Sequence, residues 1–552
     1  MSELLLHTRY GTVGGTAEDG LVVFRGVQYG AAPTGPLRFR PTAPPEPWEG
    51  VRDATSFARL APQPPPSGMG AIPGDPVEQS EDCLYLNVWT PAMDDARRPV
   101  MVFVHGGGFT SGASSVAIYD GASLARRGAV VVTFNYRLGI LGWLAHPVLA
   151  DPVLADPAPA DPALAHAGGA PGGFGNWGLH DQVAALAFVR DHAELLGGDP
   201  GNVTIFGESA GAMSVGALVG SAEARPLFQR AIMESGPAAA LGPPAASRVA
   251  DLVAKSLGGD LTRSALEAQP VEALLSAQAD VGAAYGLGNL PFQPVVDGGL
   301  LQRHPAVAVA SGEASAIDLL IGTNRDEWRF FTFNAAATAE IDEARLLDLV
   351  RRQVGGAGLL EALPAEELIE VFRAGRLARG ESVQPPDLYT ALATDWVFRV
   401  PSMRMAAAQA SHNGSTYAYL FDWESPFGGG ALGSCHALEL PFVFGTIDNP
   451  LVALFAGAGP DAEALSEAIQ SAWVAFAATG DPAAVPGARE PWPAYSDVDR
   501  ATKRLGSVRQ VLLAPMEAER AHLDRGLGPY GEAEELAMSI LFHGEPAASP
   551  GT

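Results

Sequence analysis

Ser209 lies in Phe206-Gly207-Glu208-Ser209-Ala210-Gly211, directly after the apolar run Val203-Thr204-Ile205-Phe206. A strand entering Gly-x-Ser-x-Gly and leaving as an Ala/Val/Leu-rich helix can double back sharply, because its small residues allow close approach. Such a turn lifts the serine hydroxyl above the sheet edge, where it can attack a carbonyl carbon. With 64 glycines in 552 residues, the pentapeptide also has a plain reading: a glycine-rich turn whose serine caps a helix. The other parts of the chemistry decide between them. A serine nucleophile needs a base for its proton, an acid to orient that base, and donors for the oxyanion.

A donor loop is present. His105-Gly106-Gly107-Gly108-Phe109 follows the apolar run Val100–Val104, and three glycines let backbone N–H groups approach a substrate carbonyl. For the base, the later histidines are His412, His436, His522 and His543. His543 falls in the tail, His522 in a charged helical stretch, and His412 on the N-terminal side of a strand. His436 lies beyond that strand, after a loop of small residues, and catalytic side chains gather at carboxyl ends of strands. The sequence pattern therefore favours His436. For the acid, Asp326 and Glu327 both follow the strand-like run Ile317–Gly322, and spacing alone does not choose between them. Asp297, in Val296-Asp297-Gly298, reads as a turn residue.

These residues need a frame, and strand-like and helix-like runs alternate along the chain. That pattern predicts an α/β fold with a large, mostly parallel central sheet flanked by helices. Val100–Val104 and Ala129–Phe134 are continuous apolar runs suited to strands buried on both faces. Leu179–Leu196 reads as a helix stopped by Gly197-Gly198, and Tyr417–Phe421 as a late strand. No clean linker divides the chain, so one domain over 1–543 is expected. It carries a flexible Ala/Asp/Pro-rich surface insertion near 150–173, where Ala-Asp-Pro repeats exclude regular structure, and a loose tail at 544–552.

Composition excludes several classes. Hydrophobic residues make up 47% of the chain, enough for a large core. A formal charge of −27 repels nucleic acid. No apolar stretch is long enough for a membrane helix, the N-terminus has no secretory pattern, and two cysteines make no disulfide framework. A cytoplasmic protein, monomeric by default, is the expectation. Gly173-Phe174-Gly175-Asn176-Trp177-Gly178 matches a dinucleotide fingerprint but does not follow a strand. With no phosphate loop and no metal-ligand spacing either, no cofactor and no metal are expected.

Further motifs extend this pattern along nearly the whole chain: Phe24-Arg25-Gly26-Val27-Gln28-Tyr29-Gly30, Leu37-Arg38-Phe39, Glu81-Asp82-Cys83-Leu84-Tyr85-Leu86-Asn87-Val88, Asn135-Tyr136-Arg137-Leu138-Gly139 and Gly178-Leu179-His180-Asp181-Gln182. Together with the serine segment they resemble the type-B carboxylesterases of the carboxylesterase/cholinesterase family. The resemblance implies an α/β-hydrolase fold and serine hydrolysis of small-molecule carboxylic esters. It assigns the acid to Glu327, the base to His436, and the oxyanion donors to Gly107, Gly108 and Ala210. It places Glu208 and Ser235 near the site.

Three departures bear on substrate. Ala61 stands where the family often has a cysteine, so Cys83 is expected to be unpaired. Pro62–Asp82 contains no aromatic residue, which argues against choline esters. Trp328 replaces the usual glycine after the acid and, with Phe330 and Phe331, is a candidate for the pocket wall or for plain core. An amide, carbamate or lactone hydrolase or an acyltransferase could use the same groups. A non-catalytic adhesion relative is the remote alternative, disfavoured because serine, acid and histidine are all present.

Overall fold

In the computed structural model the described residues are 4–65, 77–150, 173–286, 289–333, 341–356, 359, 361–485 and 490–528. Most of the Ala-Asp-Pro segment and the expected tail at 544–552 lie outside them. The strands are β1 (Leu4–His7), β2 (Thr12–Glu18), β3 (Leu21–Gln28), β4 (Val51–Asp53), β5 (Tyr85–Thr90), β6 (Arg98–Val104), β7 (Val130–Phe134), β8 (Gly198–Glu208), β9 (Arg230–Glu234), β10 (Asp318–Asn324), β11 (Thr416–Asp422), β12 (Ala501–Gly506) and β13 (Gln510–Leu513). They form one sheet in the order β1-β2-β3-β5-β7-β6-β8-β9-β10-β11-β12-β13, with β4 on β2. From β7 to β12 every neighbour pair is parallel. Antiparallel strands flank that run on both sides.

The parallel centre follows from composition. Val100 to Val104 are all buried, and so is every residue of β7. Successive side chains point to opposite faces, so Val100, Val102 and Val104 enter one core while Met101 and Phe103 enter the other. Helices cover both layers. The helix Trp177–His192 runs two residues ahead of its expected start, and a short 3₁₀ turn (Glu194–Leu196) completes the expected span before Gly197 at φ 75°. Two family-like motif pairs prove to be ion pairs: Arg38 grips the partly buried Glu81 at 2.6 Å through two nitrogens, and Arg137 grips the fully buried Asp181 at 2.8 Å. Among the described residues no helix is long and apolar enough to cross a membrane.

The strand order positions the site. β6 has β7 on one side and β8 on the other, so the chain changes direction across β6. In a parallel sheet such a switch point opens a crevice at the carboxyl ends of the strands. The loop after β6 and the turn after β8 face each other across it.

Candidate active site

Ser209 occupies the turn between β8 and the helix Ala210–Gly220, at φ 58° and ψ −125°. A non-glycine residue held there stores backbone strain that the surroundings must fix. Its N–H donates to Glu234 O at 2.9 Å on the neighbouring β9. Close approach explains the glycines on either side. A Cβ on Gly207 would lie 2.7 Å from Val104 O, and one on Gly211 only 2.0 Å from the same oxygen. The turn is therefore pressed against the end of β6.

The glycine loop after β6 meets the serine directly: a Cβ at Gly106 would stand 3.2 Å from Ser209 Cβ. Hydrogen bonds to its carbonyls orient the peptides of this loop. His105 Nδ1 lies 2.9 Å from Gly106 O, and Ser111 N donates to Gly107 O at 3.0 Å. In a trans peptide the following N–H points opposite the carbonyl, so the Gly107 and Gly108 N–H groups are turned away from these partners. Burial pushes the His105 pKa down to about 4, partly offset by the Gly106 carbonyl. Its imidazole is therefore neutral at pH 7, and the Nδ1 proton is the donor. The ring stacks on Tyr136 at 4.4 Å.

Glu327 follows β10 and His436 follows β11. Glu327 Oε2 lies 2.7 Å from His436 Nδ1, and Asn324 N donates to Glu327 Oε1, also at 2.7 Å. The carboxylate bonded to the imidazole is thus the Glu327 one. Asp326 turns elsewhere, accepting from Arg325 at 2.8 Å and from Ser434 N at 3.0 Å. Asp297 accepts from Gly299 N and Leu301 N at 3.0 and 3.2 Å, as a turn residue does. His412 binds Ala310 O at 2.9 Å, His522 sits on the helix Glu517–Leu527 beside Arg525, and His543 is outside the described residues.

On the other side of the imidazole, Glu208 Oε1 lies 3.1 Å from His436 Nε2, a close contact without hydrogen-bond alignment. Behind both, Glu439 accepts from Ser235 Oγ at 3.3 Å and from the Asn324 side chain. Ser235 is fully buried. Burial by itself would keep His436 neutral. The carboxylates of Glu208, Glu327 and Glu439 outweigh it and push its pKa up to about 9, above the ordinary value of 6.5 that the sequence alone suggests. Burial raises the pKa of Glu208, and the neighbouring Glu439 and Glu327 add to the rise against the pull of His436.

Aromatic rings enclose the histidine. Phe331 lies 5.1 Å and Phe330 6.0 Å from it, centre to centre. Trp328 packs at 5.1 Å behind Phe331 and is buried, so it backs the wall. Phe398 is nearer still, at 4.8 Å, and sequence reasoning missed it. It sits on a π-helical turn, Asp395–Arg399, between the helices Pro385–Thr394 and Val400–Ala410. Such turns are often found at functional sites. Both cysteines are buried and unpaired, as expected for Cys83.

A strained serine at a strand–helix turn, a buried carboxylate–imidazole pair and a glycine loop meet at one sheet end. The model of the carboxylesterase family matches residues 2–149 and 169–519. The chain belongs to the carboxylesterase family. The internal stretch left unmatched, 150–168, holds the Ala-Asp-Pro repeats. Para-nitrobenzyl esterase of Bacillus subtilis is 37% identical over 95% of this chain and 99% of its own. Carboxylesterase 1D of Mus musculus is 34% identical over 86% of this chain and 84% of its own. Among solved structures, a carboxylesterase of Geobacillus stearothermophilus superposes with a TM-score of 0.78 at 37% identity, covering 94% of this chain and all (100%) of that one. A thermophilic para-nitrobenzyl esterase gives 0.79 at 35% identity, covering 95% and 100%. The fold is that of the α/β-hydrolases, and this carboxylesterase-family enzyme hydrolyses carboxylic esters.

Proposed function

We propose that this enzyme cleaves small-molecule esters through an acyl-enzyme on Ser209, with His436 as base, Glu327 as the orienting acid, and the N–H groups of Gly107, Gly108 and Ala210 as oxyanion donors. The observation that carries the reading is the 2.7 Å Glu327–His436 contact at the ends of β10 and β11, on the same sheet edge as the strained Ser209. In the first half-reaction Ser209 Oγ attacks the carbonyl carbon while its proton passes to His436 Nε2. The tetrahedral oxyanion receives the loop N–H groups, and removing one such donor typically costs about 3–4 kcal/mol. The C–O bond to the alcohol then breaks and the alcohol leaves with the proton from His436. Water, deprotonated by the same nitrogen, releases the acid. Glu327 holds the Nδ1–H tautomer and stabilises the imidazolium.

The aromatic wall of Phe330, Phe331 and Phe398 favours acyl or alcohol groups with flat apolar surfaces. A carbamate is the second reading on the same groups. It is supported by phenmedipham hydrolase of Pseudarthrobacter oxydans, 34% identical over 87% of this chain and 90% of its own. We take a monomer as the working unit, one catalytic domain over 1–543. Two buried, unpaired cysteines fit a reducing, cytoplasmic setting.

Covalent labelling tests the assignment. A fluorophosphonate should inactivate the enzyme with one adduct, found by peptide mass mapping on the segment holding Ser209. An adduct on another residue with full inactivation would overturn it. Matched ester, carbamate and amide substrates then rank the acyl donors.

A further inference from the structure

The acid and base of the proposed triad stand on two loops from neighbouring strands, and those loops are fastened to each other at residue 326. Asp326 N donates to Ser434 O at 2.8 Å, while Asp326 Oδ2 accepts from Ser434 N at 3.0 Å. The side-chain carboxylate thus completes a two-bond ring of the kind that backbone carbonyls make between paired strands. Arg325 holds the same Oδ2 through Nε at 3.0 Å and Nη2 at 2.8 Å. The packing leaves no slack: a Cβ on Gly433, which sits at φ 55°, would fall 2.5 Å from Asp326 Oδ2. Beside this ring, His436 N approaches Glu327 O at 3.4 Å, and Asn324 Nδ2 donates to Cys435 O at 2.7 Å.

We propose that Asp326 is a positioning residue: by clamping the loop of Glu327 to the loop of His436, it sets the 2.7 Å contact between them. The proposal rests on the roles assigned to Glu327 and His436 above. Asp326 touches no reacting atom. Its carboxylate is kept ionised, because Arg325 and then Arg329 outweigh the cost of its burial and hold its pKa below the ordinary value. A charged acceptor makes a stronger hydrogen bond to Ser434 N–H than a neutral one.

Asp326→Ala should reduce kcat on a nitrophenyl ester roughly ten- to a hundredfold, since misplacement by about 1 Å can cost that much. KM should stay within about threefold, because no substrate contact is lost. The acid limb of kcat/KM should move to lower pH, as a loosened Glu327 no longer supports the imidazolium fully. Asp326→Asn retains an acceptor for Ser434 N–H and should recover most of kcat. Both variants are compared with wild type at equal folded fraction by thermal melting. An Asp326→Ala enzyme with kcat within twofold and an unmoved limb would overturn the proposal. So would equal losses in both variants.

If Asp326→Ala does not fold, Arg325→Gln decides from the other side: kcat at least threefold lower with the same limb shift supports the clamp, and no change overturns it. Glu327→Ala is run alongside. If it keeps full turnover, the triad assignment fails. If it loses turnover while Asp326→Ala does not, only the clamp fails.

Discussion

The imidazole of His436 stands between two carboxylates, with Glu327 Oε2 2.7 Å from Nδ1 and Glu208 Oε1 3.1 Å from Nε2. The first contact is a hydrogen bond. The second is close but unaligned. Nε2 is the nitrogen that takes the Ser209 proton in the proposed mechanism, and the raised pKa keeps it protonated until the pH rises well above the ordinary histidine value.

A pH shift follows. A base works unprotonated, and nearby negative charge stabilises the protonated imidazole. The acid limb of kcat/KM should therefore lie above the 6.5 of an ordinary histidine, in the direction of the raised His436 value. Glu208, whose own pKa burial raises to about 8, is ionised in the range of a limb near 9, so Glu208→Gln removes one of those charges there. It should move the limb to lower pH by more than half a unit, whatever it does to the plateau. A limb at or below 6.5 in the wild type, or one unmoved in Glu208→Gln, would contradict this electrostatic account.

The glycine loop gives a second test. Gly107 sits at φ 111°, and a Cβ there would fall 2.2 Å from Ser111 O. Gly107→Ala must displace a peptide whose N–H is a proposed oxyanion donor. Its kcat should fall about 10²- to 10³-fold, with KM changing far less. Steady-state kinetics on one ester checks this, and a kcat within tenfold of wild type would remove the loop from the oxyanion site.

The aromatic wall sets acyl preference in this account. Phe331 is half-buried, 5.1 Å from His436 and stacked over Phe398 at 6.1 Å. Phe331→Ala opens space beside the imidazole. The ratio of kcat/KM for a bulky acyl ester to that for an acetyl ester should rise roughly tenfold. An unchanged ratio would make Phe331 core rather than pocket.

Thiol reactivity follows burial. Cys83 and Cys435 are both fully buried, and burial first of all, then nearby carboxylates, pushes both thiols well above the usual range. A thiol-disulfide reagent at pH 8 should count no thiols in the native enzyme and two after denaturation. Rapid native reaction at either site would contradict the packing around it.

The sequence made the frame legible where a strand is a continuous apolar run. Val100–Val104, Ala129–Phe134 and Tyr417–Phe421 lie within or overlap β6, β7 and β11, because strands buried on both faces carry their signal in every residue. Gly-x-Ser-x-Gly was legible because the close approach of Val104 O to positions 207 and 211 admits only glycine. Adjacent Asp326 and Glu327 could not be separated by spacing. What separates them is where their partners lie, Ser434 for one and His436 for the other, more than a hundred residues away. Phe398 left no trace, since a π turn shifts the register of its helix and breaks the periodicity that would mark a face. That Glu208, Glu327 and Glu439 form one buried cluster cannot be read from their spacing, because the end of β8, the loop after β10 and the residue before the helix Leu440–Phe444 bring them together.

The central claim is that ester cleavage runs through Ser209. Hydrolysis of a short-chain nitrophenyl ester by the wild type and by Ser209→Ala tests it most directly. The account predicts robust turnover in the wild type and a loss of about 10⁴ to 10⁶ in kcat in the folded variant. Turnover that survives in Ser209→Ala would contradict it.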